Sequence, residues 1–510
     1  MKKKERITQT KKITGRSVER AAAPDSIAFS LVSVDFTDVS KNFRRKVRGF
    51  FSLSSVLAIC LAAAGFVPLN GLDMPISRIS DDTSLRISLK ESLITEVPGK
   101  VMGKRPVIYN LDGGGRVELR VETGRDEFTI ILAREQFSGR VDDISGGAVS
   151  RNSTGSFPGW AQGSWILTRR KDTGEPTRIR VFLRSDPWMY VQFRPLSADK
   201  CQMDAVLYEA YVTRSLPLPV PFERLYTMPL AELLSLAGDK FPGRYFEPDP
   251  ALYRDQRRFI ANVRKRLPEV VFADDGAIDE EGNYVFIETL QAQSANNAGL
   301  NCSGFAKWLA DGLLRPITGK RLAIPSLKAR FGERGSSFTE LWEDLRQPFF
   351  GLDWVRNLAA AVWTTLRSPA YGGLAEFEVR SEPFSQVIVR SGGTASTRLY
   401  PGFLENAGYG FEGIHPLLYT LAVDDPGSFY MAAVNTEMGP PATEENPRGL
   451  PRMRQYFHIA ALVPYFNEYG EFRVTVFESA EETSFNAFKT RYPGHYVNLV
   501  RLPVETVFDP

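Results

Sequence analysis

Cys302 is the residue of this 510-residue chain best suited to nucleophilic chemistry. It follows Asn301, a good helix N-cap, and Pro316 is predicted to end the helix that Cys302 begins. The apolar residues of this helix recur at the spacing of one helical face, namely Phe305, Trp308, Leu309, Gly312 and Leu313. Because a helix N-terminus favours negative charge, a thiol at this position is predicted to have a lowered pKa. A thiolate there is a candidate nucleophile.

The chain has three histidines, and their settings differ. His458 begins the apolar run of residues 458–463, which is typical of a buried strand. His415 precedes Pro416 in a Gly-rich stretch and His495 follows a Pro-Gly turn, so both are predicted to lie in surface loops. His458 is therefore the candidate for a general base.

Residues 301–305, Asn-Cys-Ser-Gly-Phe, resemble the Asp-Cys-Ser-Gly-Phe motif of the NlpC/P60 cysteine peptidases. These are papain-fold enzymes that cut peptide bonds in bacterial cell-wall peptidoglycan. The turn and strand at residues 424–434, the strand that His458 begins and the strand that ends in Glu478 also look like the core sheet of that family. The resemblance implies that Cys302 is the nucleophile, His458 the general base and Glu478 the residue that orients the imidazole. It implies no metal and no organic cofactor.

Two features depart from the family pattern. Asn301 stands where the family usually has Asp, and 155 residues lie between Cys302 and His458, more than a compact core of this family uses. This separation predicts an inserted subdomain, or a lid over the groove, at about residues 320–415. The insertion contains one clear amphipathic helix, at residues 354–366.

Several details of the site have alternatives at this stage. The oxyanion hole is predicted to use the Cys302 backbone N–H, with further donors just upstream at Gln291, Gln293 or Tyr284. For the third member, Glu481, Glu482 and Asn498 are alternatives to Glu478. Cys302 is alternatively a small buried hydrophobic residue, or the partner of Cys201 in a disulfide, and His458 a core histidine.

Residues 73–220 are predicted to form an all-β domain, because short strand patterns alternate with turns. The patterns lie at residues 117–122, 128–132, 178–183 and 190–193. Domains of this kind often precede NlpC/P60-like modules and bind cell wall, so Trp160, Trp165 and Trp188 are candidates for a glycan surface, with core packing as the alternative. The Pro-rich residues 216–221 are predicted to be a stiff linker. The resemblance implies that residues 221–510 then form the papain-like domain.

The basic excess of the chain lies at its start. Residues 1–50 contain 13 Lys and Arg against 5 Asp and Glu, whereas residues 51–64 carry no charge. Basic residues, a short apolar run and small residues at its end predict a signal peptide at about residues 40–64. The alternative is an uncleaved single-span anchor, so residues 1–72 are a basic leader with one or the other. The remaining chain has a slight acidic excess, and nothing in it predicts nucleic-acid binding.

These observations together predict an α+β protein of the cell envelope or periplasm. Its expected activity is thiol hydrolysis of an amide bond, namely a peptide link in peptidoglycan or a muropeptide. Membrane contact is expected only through the N-terminal apolar segment. Two alternatives are a non-catalytic envelope-binding scaffold on a degenerate papain-like fold and a transglutaminase-like acyl transferase, which uses the same order of Cys, His and acid.

Overall fold

The computed structural model describes ten ranges of the chain. They are residues 73–79, 82–112, 114–137, 155–296, 298–332, 348–381, 386–391, 394–399, 403–435 and 455–510. The predicted leader, residues 1–72, lies outside the described residues, as do parts of the predicted insertion. Within the ranges above, no helix combines the length and the apolar character that a membrane span requires.

The described chain is an α+β fold in which helices pack on large antiparallel sheets. A ten-stranded sheet has the order β1-β2-β3-β6-β7-β8-β9-β10-β13-β14. Its strands are β1 (Val107–Asn110), β2 (Arg116–Thr123), β3 (Glu127–Arg134), β6 (Trp165–Arg170), β7 (Pro176–Val181), β8 (Met189–Ser197), β9 (Lys200–Leu207), β10 (Ala210–Leu218), β13 (Gln386–Ser391) and β14 (Thr394–Leu399). Two short strands, β4 (Gln136–Phe137) and β5 (Gly155–Ser156), pair with each other.

The predicted strands of this first sheet are confirmed, since each lies within or overlaps an observed strand. Its core is built from alternate residues of consecutive strands, as period-two patterning requires. The hairpin of β13 and β14 comes from the predicted insertion, and it joins the sheet through the bridge between Val387 and Ala210 of β10.

A six-stranded sheet has the order β15-β20-β16-β17-β18-β19. Its strands are β15 (Tyr409–Gly410), β16 (Ser428–Asn435), β17 (Tyr456–Phe466), β18 (Phe472–Glu478), β19 (Glu481–Ser484) and β20 (Tyr496–Pro503), and a separate pair consists of β11 (Ala277–Ile278) and β12 (Tyr284–Val285). Residues of β16 alternate between two apolar cores, so that both faces of the sheet are covered. Such a sheet is a rigid support for side chains at its strand ends.

Ten α-helices lie in the described chain: α1 (Thr83–Lys90), α2 (Pro98–Met102), α3 (Leu230–Ser235), α4 (Arg254–Arg266), α5 (Cys302–Thr318), α6 (Ile324–Leu327), α7 (Phe350–Leu366), α8 (Leu374–Phe377), α9 (Ile414–Asp424) and α10 (Phe485–Arg491). Helices α4, α5 and α7 cover one face of the six-stranded sheet, and α9 and α10 cover the other. Helix α9 also places Tyr419 and Ala422 in the core of the ten-stranded sheet, so the two sheets share a packed boundary.

The prediction that residues 73–220 are all β is wrong for the first part of that segment. Helices α1 and α2 precede the first strand, and a π-helical turn at Glu91–Thr95 continues α1. Arg86 of α1 is buried and donates to the carbonyl oxygens of Tyr226 and Met228, at 2.8 and 2.9 Å. This long-range contact, which no local pattern reveals, holds α1 against the core.

The prediction that residues 216–221 form a stiff linker is also wrong. Residues 216–218 end β10 and pair with residues 201–203 of β9. Leu218 and Val220 are buried in the same core as the strands. Beyond the bridge at Ala210, β10 has β9 as its neighbour in the described sheet, and proline is tolerated on such an edge because no partner needs its N–H.

Helix α7 contains the amphipathic helix predicted within the insertion, and it is part of the core. Trp354, Val355, Leu358 and Val362 are fully buried. The Trp354 indole N–H donates to the Ser303 carbonyl oxygen at 2.9 Å, and the Trp363 indole donates to the Arg501 carbonyl oxygen at 2.7 Å. The helix is thus fastened to both α5 and β20.

Candidate active site

The start of helix α5 places Cys302 at its first position. The side-chain oxygen of Asn301 accepts a hydrogen bond from the Gly304 N–H at 2.8 Å, which is the geometry of an N-cap. Asn301 therefore fills the capping role that an aspartate would fill, but it adds no negative charge beside the thiol. Cys302 is partly exposed, whereas the helix from Ser303 to Leu314 is buried.

Gly304 allows the start of helix α5 to approach the backbone at Gly276, the residue just before β11. A Cβ at Gly304 would lie 1.9 Å from the carbonyl oxygen of Gly276, which is far inside any real contact distance. The same carbonyl oxygen accepts the Asn301 N–H at 3.1 Å. The glycine of the Cys-Ser-Gly-Phe run thus has a packing reason, because only a residue without a Cβ lets the helix start sit on β11.

Pro316 does not end helix α5, contrary to the prediction. The helix continues to Thr318, and Gly319 closes it in the left-handed conformation, with a φ of 69°. A proline inside a helix leaves the carbonyl four residues earlier without its usual donor. That carbonyl belongs to Gly312, and it accepts the Asp509 N–H at 2.9 Å instead. A distant segment of chain therefore satisfies the helix at the point where proline weakens it.

The nucleophile helix is also held by a buried ion pair one turn below the site. Lys307 and Asp311 are both buried, with 2.7 Å between Nζ and Oδ2. The Lys307 ammonium also donates to the Ile278 carbonyl oxygen at 2.6 Å, and Asp311 accepts the Leu322 N–H at 2.8 Å. These bonds satisfy both charges and tie α5 to β11 and to the segment before α6.

His458 and Glu478 lie on neighbouring strands and form a close pair. His458 Nε2 and Glu478 Oε2 are 2.6 Å apart, and the two side chains are 13% and 4% exposed. Strands β17 and β18 are in register so that Ala461 faces Phe477, which brings the beginning of β17 to the end of β18. Since Nε2 is engaged by the carboxylate, Nδ1 is the nitrogen left for the thiol.

The charges of the site stabilise a thiolate and an imidazolium. Burial of Cys302 raises the pKa of its thiol, but the hydrogen bond and charge of His458 outweigh this, so the pKa lies below the ordinary value. Burial of His458 lowers its pKa, but Cys302 and Glu478 together raise it to about 9. Burial raises the pKa of Glu478, but His458, Thr483 and Arg491 hold it below its usual value.

Two further groups contact the sulfur. The backbone N–H of Ile459 and the side chain of Ser303 both hydrogen-bond to Cys302 and lower its pKa. Ile459 lies on β17 two residues before Ala461, where the pairing of β17 with β18 begins. Its N–H hydrogen-bonds to the sulfur and helps to hold it beside His458.

The predicted trio of Cys302, His458 and Glu478 is thus assembled in one place. Of the alternatives for the third position, Glu482 forms an ion pair with Arg264 of α4, and Asn498 donates to Glu378 at 3.2 Å. The alternative of a disulfide is wrong, since Cys201 and Cys302 are both free thiols.

Gln293 is not an oxyanion donor, contrary to one of the alternatives. Its amide nitrogen donates to the Asp275 carbonyl oxygen at 2.7 Å, and its amide oxygen accepts the Gly299 N–H at 2.8 Å. The side chain therefore holds the loop before Cys302 in shape. The backbone N–H of Cys302 lies at the first helical position, where no intrahelical acceptor exists.

The prediction that His415 lies in a surface loop is wrong. It is in the first turn of α9, and its ring stacks on Tyr208 with ring centroids 4.0 Å apart. Phe472 and Phe485 contact the same ring, and burial lowers the His415 pKa to about 4. His495 does lie in a loop, where its Nδ1 is 3.1 Å from the Pro493 carbonyl oxygen.

Besides Ser303 of the motif, three residues that contact the trio were not predicted from the sequence, namely Ile459, Thr483 and Arg491. Ile459 acts through its backbone, which carries no side-chain signal. Thr483 follows Glu478 across the tight turn from β18 to β19, so a hairpin interpretation of that turn would have found it. Arg491 reaches Glu478 from helix α10, and only the tertiary fold shows this contact.

The aromatic candidates of the first sheet divide by exposure. Trp165 is buried and Arg86 lies over its ring, whereas Trp160 and Trp188 are 36% and 43% exposed. Core packing is therefore the role of Trp165. The other two remain candidates for surface contacts.

Comparison with protein-family models matches residues 75–245 to DUF8515, a domain of unknown function. The match covers the chain from before α1 to after α3, including β1 to β10, and it ends before helix α5. Searches of curated proteins and of solved structures found no match. The chemistry of the site is therefore inferred from its own geometry and from the residues that form it.

Proposed function

We propose that this protein is a thiol hydrolase that cleaves an amide bond, built on a papain-like core of the NlpC/P60 type. The observation that carries the proposal is the arrangement of three side chains from three elements. Cys302 begins helix α5, His458 lies beside it near the start of β17, and Glu478 at the end of β18 is 2.6 Å from the imidazole. This is the order and geometry that thiol nucleophiles require.

Each group has a defined step. The Cys302 thiolate attacks the carbonyl carbon and forms a tetrahedral adduct, whose oxygen is met by the Cys302 backbone N–H at the helix start. The His458 imidazolium gives its proton to the leaving amine as the carbon–nitrogen bond breaks. Water, deprotonated by His458, then attacks the thioester and releases the acid. Glu478 keeps the ring oriented and stabilises its charge throughout.

We propose peptide links of bacterial peptidoglycan as the substrate. The support is the resemblance of residues 301–305 to the NlpC/P60 motif and the export signal predicted at about residues 40–64. Asn301 departs from that motif without loss of the cap, since its amide oxygen accepts the Gly304 N–H. In this proposal the ten-stranded sheet and its exposed Trp160 and Trp188 supply contacts to the wall.

One observation favours a second candidate, a transglutaminase-like acyl transferase. The third member is a carboxylate, Glu478, and the order of Cys, His and acid along the chain is the one that such enzymes share. Transfer and hydrolysis differ only in the acceptor, since an amine replaces water in the second step. A primary amine added to the reaction separates the two, because transfer incorporates it into the product.

The experiment that tests the proposal is alkylation of the full chain with iodoacetamide across pH, with each cysteine quantified by peptide mass spectrometry. Wild type, Cys302→Ala and His458→Ala are compared. In wild type we expect Cys302 to be labelled with an apparent pKa well below the ~8.5 of a free thiol. In His458→Ala that pKa rises, so labelling at pH 6.5 falls by roughly a hundredfold from the smaller thiolate fraction.

Labelling of Cys302 at an ordinary thiol pKa, indifferent to His458, contradicts the proposal and favours a binding protein on a papain-like scaffold. With a reactive thiol established, muropeptides are incubated with wild type and with Cys302→Ala. New amine ends formed by the wild type alone identify the hydrolase. A product that contains the added amine identifies the transferase.

A further inference from the structure

The carboxylate of Glu478 has a second charged neighbour besides His458. Arg491, in the last turn of helix α10, places Nη1 at 2.8 Å from Glu478 Oε1, while Oε2 faces the imidazole. The contact with Oε1 is an ion pair by distance rather than a well-aligned hydrogen bond. The Glu478 side chain is 4% exposed and that of Arg491 is 45% exposed. The buried carboxylate is therefore paired with a guanidinium that is partly in solvent.

Alternating charges therefore run through the site: thiolate, imidazolium, carboxylate and guanidinium. They belong to Cys302, His458, Glu478 and Arg491, which lie on α5, β17, β18 and α10. A carboxylate that met the imidazolium alone would hold the imidazole proton more tightly, because the whole negative charge would act on that proton. Arg491 offsets part of that charge and also contacts the second oxygen, which disfavours rotation of the carboxylate.

We infer that Arg491 is a fourth, positioning member of the site, which balances the charge of Glu478 and sets the proton affinity of His458. This inference rests on the proposed thiol chemistry and deepens it. A base that must also act as an acid needs a proton affinity near the working pH. Because Arg491 offsets part of the carboxylate charge, the proton affinity of His458 is lower than an unaccompanied carboxylate would make it.

The surroundings of Glu478 support this role. The groups that face it are His458 from β17, the Thr483 hydroxyl from β19, and Arg491 and Tyr492 at and after the end of α10. Arg491 is the one fixed positive charge among these four. The guanidinium also lies over the Tyr492 ring, with 5.6 Å from Cζ to the centroid, and Tyr492 in turn lies 5.9 Å from the His458 ring. The tyrosine therefore holds Arg491 on the side of the imidazole.

The test uses the full chain and two readouts that need no substrate. The first is iodoacetamide labelling of Cys302 across pH, which reports formation of the thiolate and, at higher pH, loss of the imidazolium proton. The second is the ring ¹⁵N signal of His458, which is resolved readily because the chain has three histidines. The variants are Arg491→Gln, Arg491→Lys and, as the matched control, Lys489→Gln, which removes the same charge from the same helix two residues away.

Loss of a positive charge stabilises the protonated form of every nearby group, so in Arg491→Gln the His458 pKa is expected to rise by about half a unit to one unit. Arg491→Lys restores the charge and is expected to return most of this shift. Lys489→Gln is expected to leave the His458 titration where it is in wild type. A purely structural role for Arg491 predicts slower labelling with unchanged titration midpoints, and that result overturns the inference.

The outcomes separate this inference from the proposed function. If Cys302 of the wild type titrates as an ordinary thiol, the catalytic proposal and the inference both fall. If the wild type shows the low thiol pKa and Arg491→Gln titrates identically at His458, the inference alone falls. Because the Arg491 side chain is half-exposed, its replacement is expected to leave the fold intact, which thermal unfolding of the three variants verifies.

Discussion

Two regions of this molecule each contain a free thiol, and they shift its pKa in opposite directions. Cys201 lies near the start of β9, an interior strand of the ten-stranded sheet, where burial raises its pKa to about 11. Cys302 begins helix α5 beside the start of β17. Burial raises its pKa too, but His458, Ile459 and Ser303 lower it by a larger amount, so the pKa lies below the ordinary value. Burial is common to both. The difference lies in the groups around each sulfur. Cys302 has a helix start, an imidazole and the backbone N–H of Ile459, whereas Cys201 has apolar side chains.

The largest effect that this comparison predicts is the ratio of alkylation rates of the two cysteines. At pH 7 a thiol of pKa about 11 is ionised to about one part in ten thousand, whereas the lowered pKa of Cys302 gives it a much larger thiolate fraction. Iodoacetamide should therefore label Cys302 more than about a hundredfold faster than Cys201, since even a free thiol is ionised to roughly 3% at this pH. Peptide mass spectrometry of the native protein measures the ratio.

The control is the same reaction in concentrated urea. Unfolding removes both environments, so the two rates should become similar, each close to that of a free thiol. Equal rates in the folded protein would mean that the surroundings of Cys302 give its thiol no special reactivity. The contrast between the two regions would then have no chemical consequence.

The second prediction concerns the carboxylate of Glu478, which has no counterpart beside Cys201. Glu478→Gln keeps the shape of the side chain but removes its charge, so the His458 pKa should fall from about 9 by about one to two units. The alkaline limit of the proposed hydrolysis is then expected at lower pH, because the imidazolium loses its proton at a lower pH. Turnover at pH 8 is expected to fall roughly tenfold or more.

Glu482→Gln is the matched control for that variant. Glu482 is on β19 close to the same turn, but its partner is Arg264 on the surface of α4. The pH dependence of this variant should coincide with that of the wild type. An identical shift in both variants would mean that total charge, and not the contact with His458, sets the titration.

Much of this contrast was accessible from the sequence, and particular residues show where the limit lies. Local periodicity located the strands of the first sheet and the helices α5 and α7, although α5 is buried on all sides from Ser303 to Leu314. The trio was predicted because the motif marks Cys302 and because the resemblance assigns His458 and Glu478 to neighbouring strands of the core sheet. Papain-like topology itself remains a proposal, while the α+β class is plain from the two antiparallel sheets.

The errors have a common cause, which is contact between distant segments. Pro316 was predicted to end helix α5, but the Asp509 N–H satisfies the carbonyl that the proline leaves free. His415 was assigned to a loop, but Tyr208 and Phe472 bury its ring. The contact of Arg491 with Glu478 was missed for the same reason, because it depends on the packing of helix α10 against β18. Patterns in a single sequence describe residues that are neighbours along the chain. The partners named here are all distant in sequence, so no such pattern could reveal them.

The third prediction tests the packing that holds the reactive thiol in place. Gly304→Ala puts a methyl group against the Gly276 carbonyl oxygen, so helix α5 must shift. We expect a loss of about 1–3 kcal/mol in the free energy of unfolding, with slower labelling of Cys302. Urea unfolding followed by fluorescence measures the first quantity and iodoacetamide the second.

Gly413→Ala serves as its control, since a Cβ at Gly413 meets nothing within 4 Å and the backbone there is close to helical. This variant should unfold within a few tenths of a kcal/mol of the wild type. If both glycine variants behave alike, the close approach at Gly304 does not constrain the helix start, and the position of the thiol must be set elsewhere.

The smallest expected effect comes from restoring the usual residue of the motif. Asn301→Asp keeps an oxygen that can accept the Gly304 N–H, so the cap and the fold should persist. The new carboxylate adds a negative charge beside the sulfur, which disfavours the thiolate and should raise the Cys302 pKa by a few tenths of a unit to about one unit. Labelling near pH 6 should slow a few-fold, with little change near pH 9, where the thiolate forms in both proteins. A faster reaction in the variant at pH 6 would mean that the cap strengthens the helix dipole more than its charge opposes the thiolate, and the neutral asparagine would then be a handicap of this site.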